Sequence, residues 1–182
     1  MAATKRDTCG ILGGSVAGVP FSMHLFQGAA TTPAASFSLE SIKLVIANTF
    51  VAGTCNLSIF AADVAHKPTG AALATTGDIT TPDQAAKGFY EFTLLAPLAL
   101  DASTEYCYVL DGTLVTARSV FYIYGTNSGV FPTCHTLFSS DGVSWTLADN
   151  YDMTFELWGS DLPSPGGGGI NQPAVMFESW GF

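Results

Sequence analysis

Residues 135–158 read HTLFSSDGVSWTLADNYDMTFELW. Within and just beyond this stretch, CHTLFSS (134–140), SWTLA (144–148) and YDMTFELWG (151–159) alternate apolar with polar residues. That two-residue period belongs to strands with one buried face. Asp141-Gly142 separates the first two runs, and glycine tolerates the positive φ that tight strand connections need. The pair predicts a hairpin closed by a two-residue turn, with Trp145 opening the return strand and covering the turn. Asp141, Gly142 and Trp145 are therefore read as structural residues.

The same period runs outward through the chain. SFSLESIKLVIAN (36–48) carries Phe37, Leu39, Ile42, Leu44 and Ile46 in one strand-like run, and its phase slip at Glu40-Ser41 predicts a β-bulge. TCNLSIFAAD (54–63) sets Cys55, Leu57 and Ile59 on one face and Asn56, Ser58 and Phe60 on the other. KGFYEFTLL, STEYCYVLDG and ARSVFYIYG continue the series. Such runs recur about every 8–15 residues between turn residues, which predicts an all-β, antiparallel sandwich. TPDQAAKG (81–88) is the one place where a helical turn is expected.

Three regions follow from this pass. Residues 1–20, rich in Gly and Thr, read as an N-terminal arm, and residues 21–160 form the β-sandwich domain. Residues 161–182, DLPSPGGGGINQPAVMFESWGF, read as a Pro/Gly linker and an apolar tail. Val175, Met176, Phe177, Trp180 and Phe182 are too apolar for a solvated end. They fit either a flap on their own domain or a peg into an adjacent subunit.

Charged residues make up 12% of the 182-residue chain and hydrophobic ones 48%, against roughly 25% charged in an average soluble domain. Mean hydropathy is +0.33, yet no run approaches the ~18 apolar residues of a membrane helix. An Ala-, Phe- and Gly-rich β domain accounts for this. A surface covered by copies or partners accounts for it equally. The net charge of −9 excludes the basic footprint that nucleic acids require. Lys5 and Arg6 are followed by Asp7, Thr8 and a short Gly-rich stretch, so a cleaved leader is not expected.

Cys9, Cys55, Cys107 and Cys134 lie far apart without a C-x-x-C pair, so metal-site spacing is absent. Assembly in a cytoplasm would leave them reduced, whereas an extracellular particle allows one or two disulfides.

Taken in order, SFSLESIKLVI, NLSIFAADVAHKPTGAALAT, GFYEFTLLAPLALDASTEYCYVLDG and FSSDGVSW…YDMTFELWG resemble a jelly-roll β-sandwich domain. Domains of this kind occur in phage and virus structural proteins and in carbohydrate-binding-like surface proteins. The resemblance spans residues 24–159 and rests on the order of the pieces. It implies a jelly roll used for non-catalytic display or adhesion.

The string Ser139 to Trp145 also resembles the Asp-box of sialidases, S-x-D-x-G-x-[ST]-W. Here Gly142 follows Asp141 directly, only one copy occurs, and the chain has two arginines, Arg6 and Arg118. A sialidase needs an arginine cluster for its substrate carboxylate, so the string is read as a turn. The acids Asp63, Asp78, Asp83, Asp101, Asp111, Asp141, Asp149 and Asp161 fall in turns, while Glu91, Glu105 and Glu156 fall on outward strand faces. They do not form a recognisable glycosidase pair. No G-x-S-x-G motif occurs. GILGGSVAG lacks the Lys of a phosphate loop. His24, His66 and His135 have no close-spaced partner ligand, so no transition metal is expected. A calcium candidate is formed by Asp149, Asn150 and Asp152, against the plainer reading of turn-forming side chains.

Tyr106, Tyr108, Phe121, Tyr122 and Tyr124 cluster in two strands. Tyr122 and Tyr124 share a face and are the candidate contacts for glycan or for a neighbouring subunit. The expectation is a virion structural protein: a decoration, fibre or minor capsid subunit without cofactor or enzymatic activity. It would form homo-oligomers and also bind other virion proteins, assembled in a host cytoplasm, with no nucleic-acid or membrane partner. The alternative is a carbohydrate-binding or adhesion module on a cell surface or receptor-binding fibre.

Overall fold

A computed structural model describes residues 3–9, 16–20, 24–48, 53–81, 84–115, 121–126, 133–148 and 151–162. These residues form strands and no helix. The strands are β1 (Thr4–Cys9), β2 (Val16–Pro20), β3 (Phe26–Thr31), β4 (Phe37–Asn48), β5 (Gly53–Ala62), β6 (Pro68–Thr75) and β7 (Ile79–Thr81). They continue as β8 (Gln84–Leu100), β9 (Tyr106–Asp111), β10 (Phe121–Thr126), β11 (Cys134–Ser139), β12 (Thr146–Ala148), β13 (Asp152–Met153) and β14 (Phe155–Ser160). The apolar tail, Val175, Met176, Phe177, Trp180 and Phe182, lies outside the described residues, as do Asp149 and Asn150.

Two antiparallel sheets make a sandwich. The first runs β1-β14-β4-β10-β13, with β8 also on β4 and β2 also on β10. The second runs β12-β11-β3-β9-β5-β6, with β7 also on β5. Residues 4–9, read from the sequence as an arm, run along β14 with Cys9 opposite Phe155. Residues 84–88, where a helical turn was expected, open strand β8. Asn48 pairs with Gln84 and Ile46 with Gly88, so β4 takes the backbone hydrogen bonds a helix would have used.

Alternation sorts the side chains as the sequence predicts. Phe37, Leu39, Ile42, Leu44 and Ile46 of β4 meet Cys55, Leu57 and Ile59 of β5 in one core with Tyr108, Phe92 and Phe155. The expected bulge is present at Glu40: the β4–β8 register shifts between Leu39 and Ser41, and β14 shifts opposite it. On β9, Tyr106, Tyr108 and Leu110 enter this core, while Cys107 and Val109 join a second cluster with Ala30 and Leu137. That second cluster lies on the outer face of the second sheet, and every residue of it is buried.

Two turns lead into β9 and β6. Before β9, the Asp101 amide donates to the Tyr106 hydroxyl at 3.1 Å and the Thr104 amide to the Asp101 carbonyl at 3.2 Å. A backbone bond and the Tyr106 hydroxyl together close this turn. After β5, the turn occupies residues 63–67, and Pro68 opens β6, an edge strand where its missing N–H costs no ladder bond.

Cys9 and Cys134 form a disulfide that ties β1 of the first sheet to β11 of the second. Cys55 and Cys107 are free and buried. Burial, with smaller effects of nearby carboxylates, pushes both thiols up to about 12, so they stay protonated and unreactive at neutral pH.

Candidate functional site

The outer face of the second sheet builds a cleft from the strand pattern described above. Phe26 comes from β3, Ser58 and Phe60 from the outward positions of β5, and Val109 and Asp111 from those of β9. One rim is the β11–β12 connection, with Gly142, Val143 and Trp145; the other is Pro68 and Gly70 of β6. The cleft holds about 310 Å³. Trp145 meets Phe26 edge-on, with centroids 6.3 Å apart at 63°, an arrangement favoured by the ring quadrupoles. Asp111 adds a carboxylate, whose Oδ1 accepts from the Thr113 amide at 2.8 Å.

The rim around Asp141 is tied together by hydrogen bonds to its carboxylate. Its Oδ1 accepts from the amides of Ser144 at 2.7 Å and Val143 at 2.8 Å, and from the Ser139 hydroxyl at 2.9 Å. Ser139 Oγ accepts in turn from the Gly142 amide at 2.9 Å. These donors, the Ser144 amide first, hold the Asp141 carboxyl well below the usual carboxylate range. The hairpin read from the sequence is therefore present, since β11 and β12 pair antiparallel. Its connection runs from residue 140 to 145 rather than through two residues, because Asp141 and Ser139 knit a wider loop. Asp141 faces its own backbone, Gly142 takes φ +75°, and Trp145 turns into the cleft.

The other candidates are placed elsewhere. Tyr122 and Tyr124 lie on β10 of the first sheet, where Tyr122 pairs with Pro20 and Tyr124 with Gly18. The cleft is on the second sheet, whereas β10 belongs to the first. Asp152 is 1% exposed and lies beside the Cys9–Cys134 bridge, its carboxylate within 4.8 Å of the sulfurs. Glu91 and Glu156 lie in a polar network on the first sheet. Ser41 donates to Glu91 at 2.6 Å, Trp158 Nε1 donates to Glu156 at 2.9 Å, and Lys43 sits 3.8 Å over the Trp158 ring.

Sequence reasoning placed Ser58 and Phe60 on one outward face but did not connect them with Phe26 and Trp145. The signal was a large aromatic at an outward position of an otherwise small and polar face. Two of the histidines also meet without any sequence motif. His66 and His135 stack with ring centroids 3.8 Å apart, and His66 Nδ1 lies 2.9 Å from Glu105 Oε2.

No protein-family model matches the chain, and no curated protein is significantly similar to it.

Proposed function

We propose that the protein is a non-catalytic binding module of the jelly-roll kind whose outer-face cleft receives a saccharide. The carrying observation is that Phe26, Phe60 and Trp145 line one cleft together with Asp111 and Ser58. Aromatic faces bind the C–H faces of sugar rings, and a few polar groups at the edge select hydroxyl positions. The Asp141 loop positions Trp145 in advance, which lowers the ordering cost of binding. The Cys9–Cys134 bridge supports use in an oxidising setting, as on a cell surface or the outside of a particle.

A glycan array probed with the full chain tests this reading, followed by calorimetry on any hit. Trp145→Ala and Asp111→Asn are each expected to weaken binding at least about tenfold, the loss of one good contact. Absence of any saturable glycan, or affinity unchanged in both variants, would sink the reading.

A second reading is a virion structural subunit, either in place of the saccharide module or carrying it. Its support is exposed apolar surface in a charge-poor chain: Val143 is 82% exposed, Leu95 75% and Leu114 52%. Apolar groups left in water favour burial against a neighbour. Size-exclusion chromatography with deletion of residues 161–182 tests it. A monomer indifferent to the deletion would argue against assembly.

A further inference from the structure

We propose that His66, Glu105 and His135 form a binding site for one divalent transition-metal ion, zinc being the ion their chemistry suits best. One ligand atom from each lies within 4.8 Å of the other two. Two imidazoles and a carboxylate are a recurrent three-ligand set for zinc, leaving a position for water. Calcium and magnesium prefer oxygen shells and are poorly served by two nitrogens.

The fold brings these residues together from three separate segments. His135 lies on β11 opposite Ala30 of β3, and Ala30 lies opposite Cys107 of β9. Glu105 immediately precedes β9, and its carbonyl accepts from the Ala62 amide at the end of β5 at 3.2 Å. His66 comes from the turn that follows β5. That turn is pinned by Asp63, whose Oδ1 accepts from the amides of Ala65 at 2.8 Å and Lys67 at 2.9 Å. The His66 amide donates to the Asp63 carbonyl at 3.0 Å, and the Cys107 thiol donates to the His66 carbonyl at 3.6 Å. His66 takes φ 61°, the one non-glycine residue with positive φ among those described. This uncommon conformation sets its ring against Glu105 and His135.

Bonds of about 2.1 Å to a tetrahedral ion put ligand atoms about 3.4 Å apart. His66 Nδ1 already lies 2.9 and 3.0 Å from the two Glu105 oxygens. All three ligand atoms lie within 4.8 Å of one another, so no gap has to close by more than about 1.4 Å to reach that spacing. The two rings stack 21° from parallel, so binding one ion requires them to turn about their Cβ–Cγ bonds until their lone pairs converge. Glu105 and Asp63 make the surroundings anionic, with Lys67 the nearby cation on the turn, and the chain carries −9 overall.

Zinc chloride titrated into the metal-free full chain tests the proposal, read by calorimetry and by the histidine ring signals in NMR. Cobalt supplies visible d–d bands as a second readout. One ion per chain is expected, with a raised Tm, a chelator reversing both, and equal calcium doing neither. Glu105→Gln and His135→Phe keep size and stacking; each is expected to weaken binding by about tenfold or more. His66→Gly suits the positive φ and removes a ligand, and the other two variants decide the matter if it fails to fold. No saturable zinc binding below about 1 mM, an affinity of only ~4 kcal/mol, would overturn the site. So would binding that persists unchanged in Glu105→Gln and His135→Phe. The cleft is not part of this test, so glycan binding can succeed or fail independently.

Discussion

Gly142 stands against the ring of Phe26: a Cβ at Gly142 would lie 3.1 Å from both Cε2 and Cζ. Its φ of +75° also lies in the left-handed region that side chains resist. One residue thus lets the Asp141 loop close down on the cleft wall. Gly142→Ala combines backbone strain with a contact that Phe26 must give way to. We expect a loss of about 1–2 kcal/mol and a rotated Phe26. A thermal melt together with the aromatic NMR shifts checks both, and an unchanged Phe26 environment would contradict the contact.

The Tyr108 hydroxyl carries the opposite prediction. It is wholly buried, its ring packs 5.6 Å from Phe155, and among the described residues its oxygen has no hydrogen-bond partner. Burial raises its ionisation far above the ordinary tyrosine value, so the group stays neutral. An unsatisfied buried hydroxyl costs about 1–3 kcal/mol of desolvation. Tyr108→Phe removes that cost and leaves only a small void. Stability is expected to hold or to rise by up to about 1 kcal/mol, whereas Tyr108→Ala is expected to lose about 4 kcal/mol. Urea denaturation of both variants supplies the comparison.

The fold was legible wherever side chains alternate strictly. Cys55, Leu57 and Ile59 against Asn56, Ser58 and Phe60 fixed the two faces of β5, and Glu40-Ser41 marked a bulge later found at that point. What escaped were relations set by strand order. Nothing local tells that β11, β3, β9 and β5 are neighbours. Trp145 could therefore be assigned to its own turn but not to Phe26, and His66 could not be joined to His135. Residues 84–88 misled for a related reason: their composition suits a helical turn, and pairing with β4 overrides that local preference. Asp141 was placed correctly in a turn, yet its hold on three donors depended on a loop longer than the sequence suggested.

Reduction of the Cys9–Cys134 bridge should be costly. It closes a segment with a sequence separation of 125, and chain-entropy reasoning for such a loop gives about 5 kcal/mol. Both sulfurs are buried, so reductant should act slowly on the folded chain and quickly in mild denaturant. Cys9→Ser with Cys134→Ser is expected to lower the urea midpoint strongly while leaving the strand content intact. A double variant as stable as the parent would mean that the two sheets do not depend on this tie. Cys55→Ser, by contrast, tests burial alone, since that thiol is free.

Acid should loosen the Asp141 loop before it unfolds the sandwich. The folded carboxyl is depressed by donors that an unfolded chain does not align, so the native state favours the ionised form. A depressed folded value means that the stabilisation is complete above the unfolded value, about 4 for aspartate. It is lost as pH falls below that value toward the lower folded one. Asp141→Asn keeps an oxygen to accept from Val143 and Ser144 but has no proton to gain. The Tm difference between parent and variant should therefore be flat above pH ~5 and shrink steadily below pH ~4. Trp145 fluorescence should report the same window, because the loop that holds Asp141 also carries Trp145 into the cleft. Parallel acid profiles for the two proteins would show that the carboxylate does not tighten the loop.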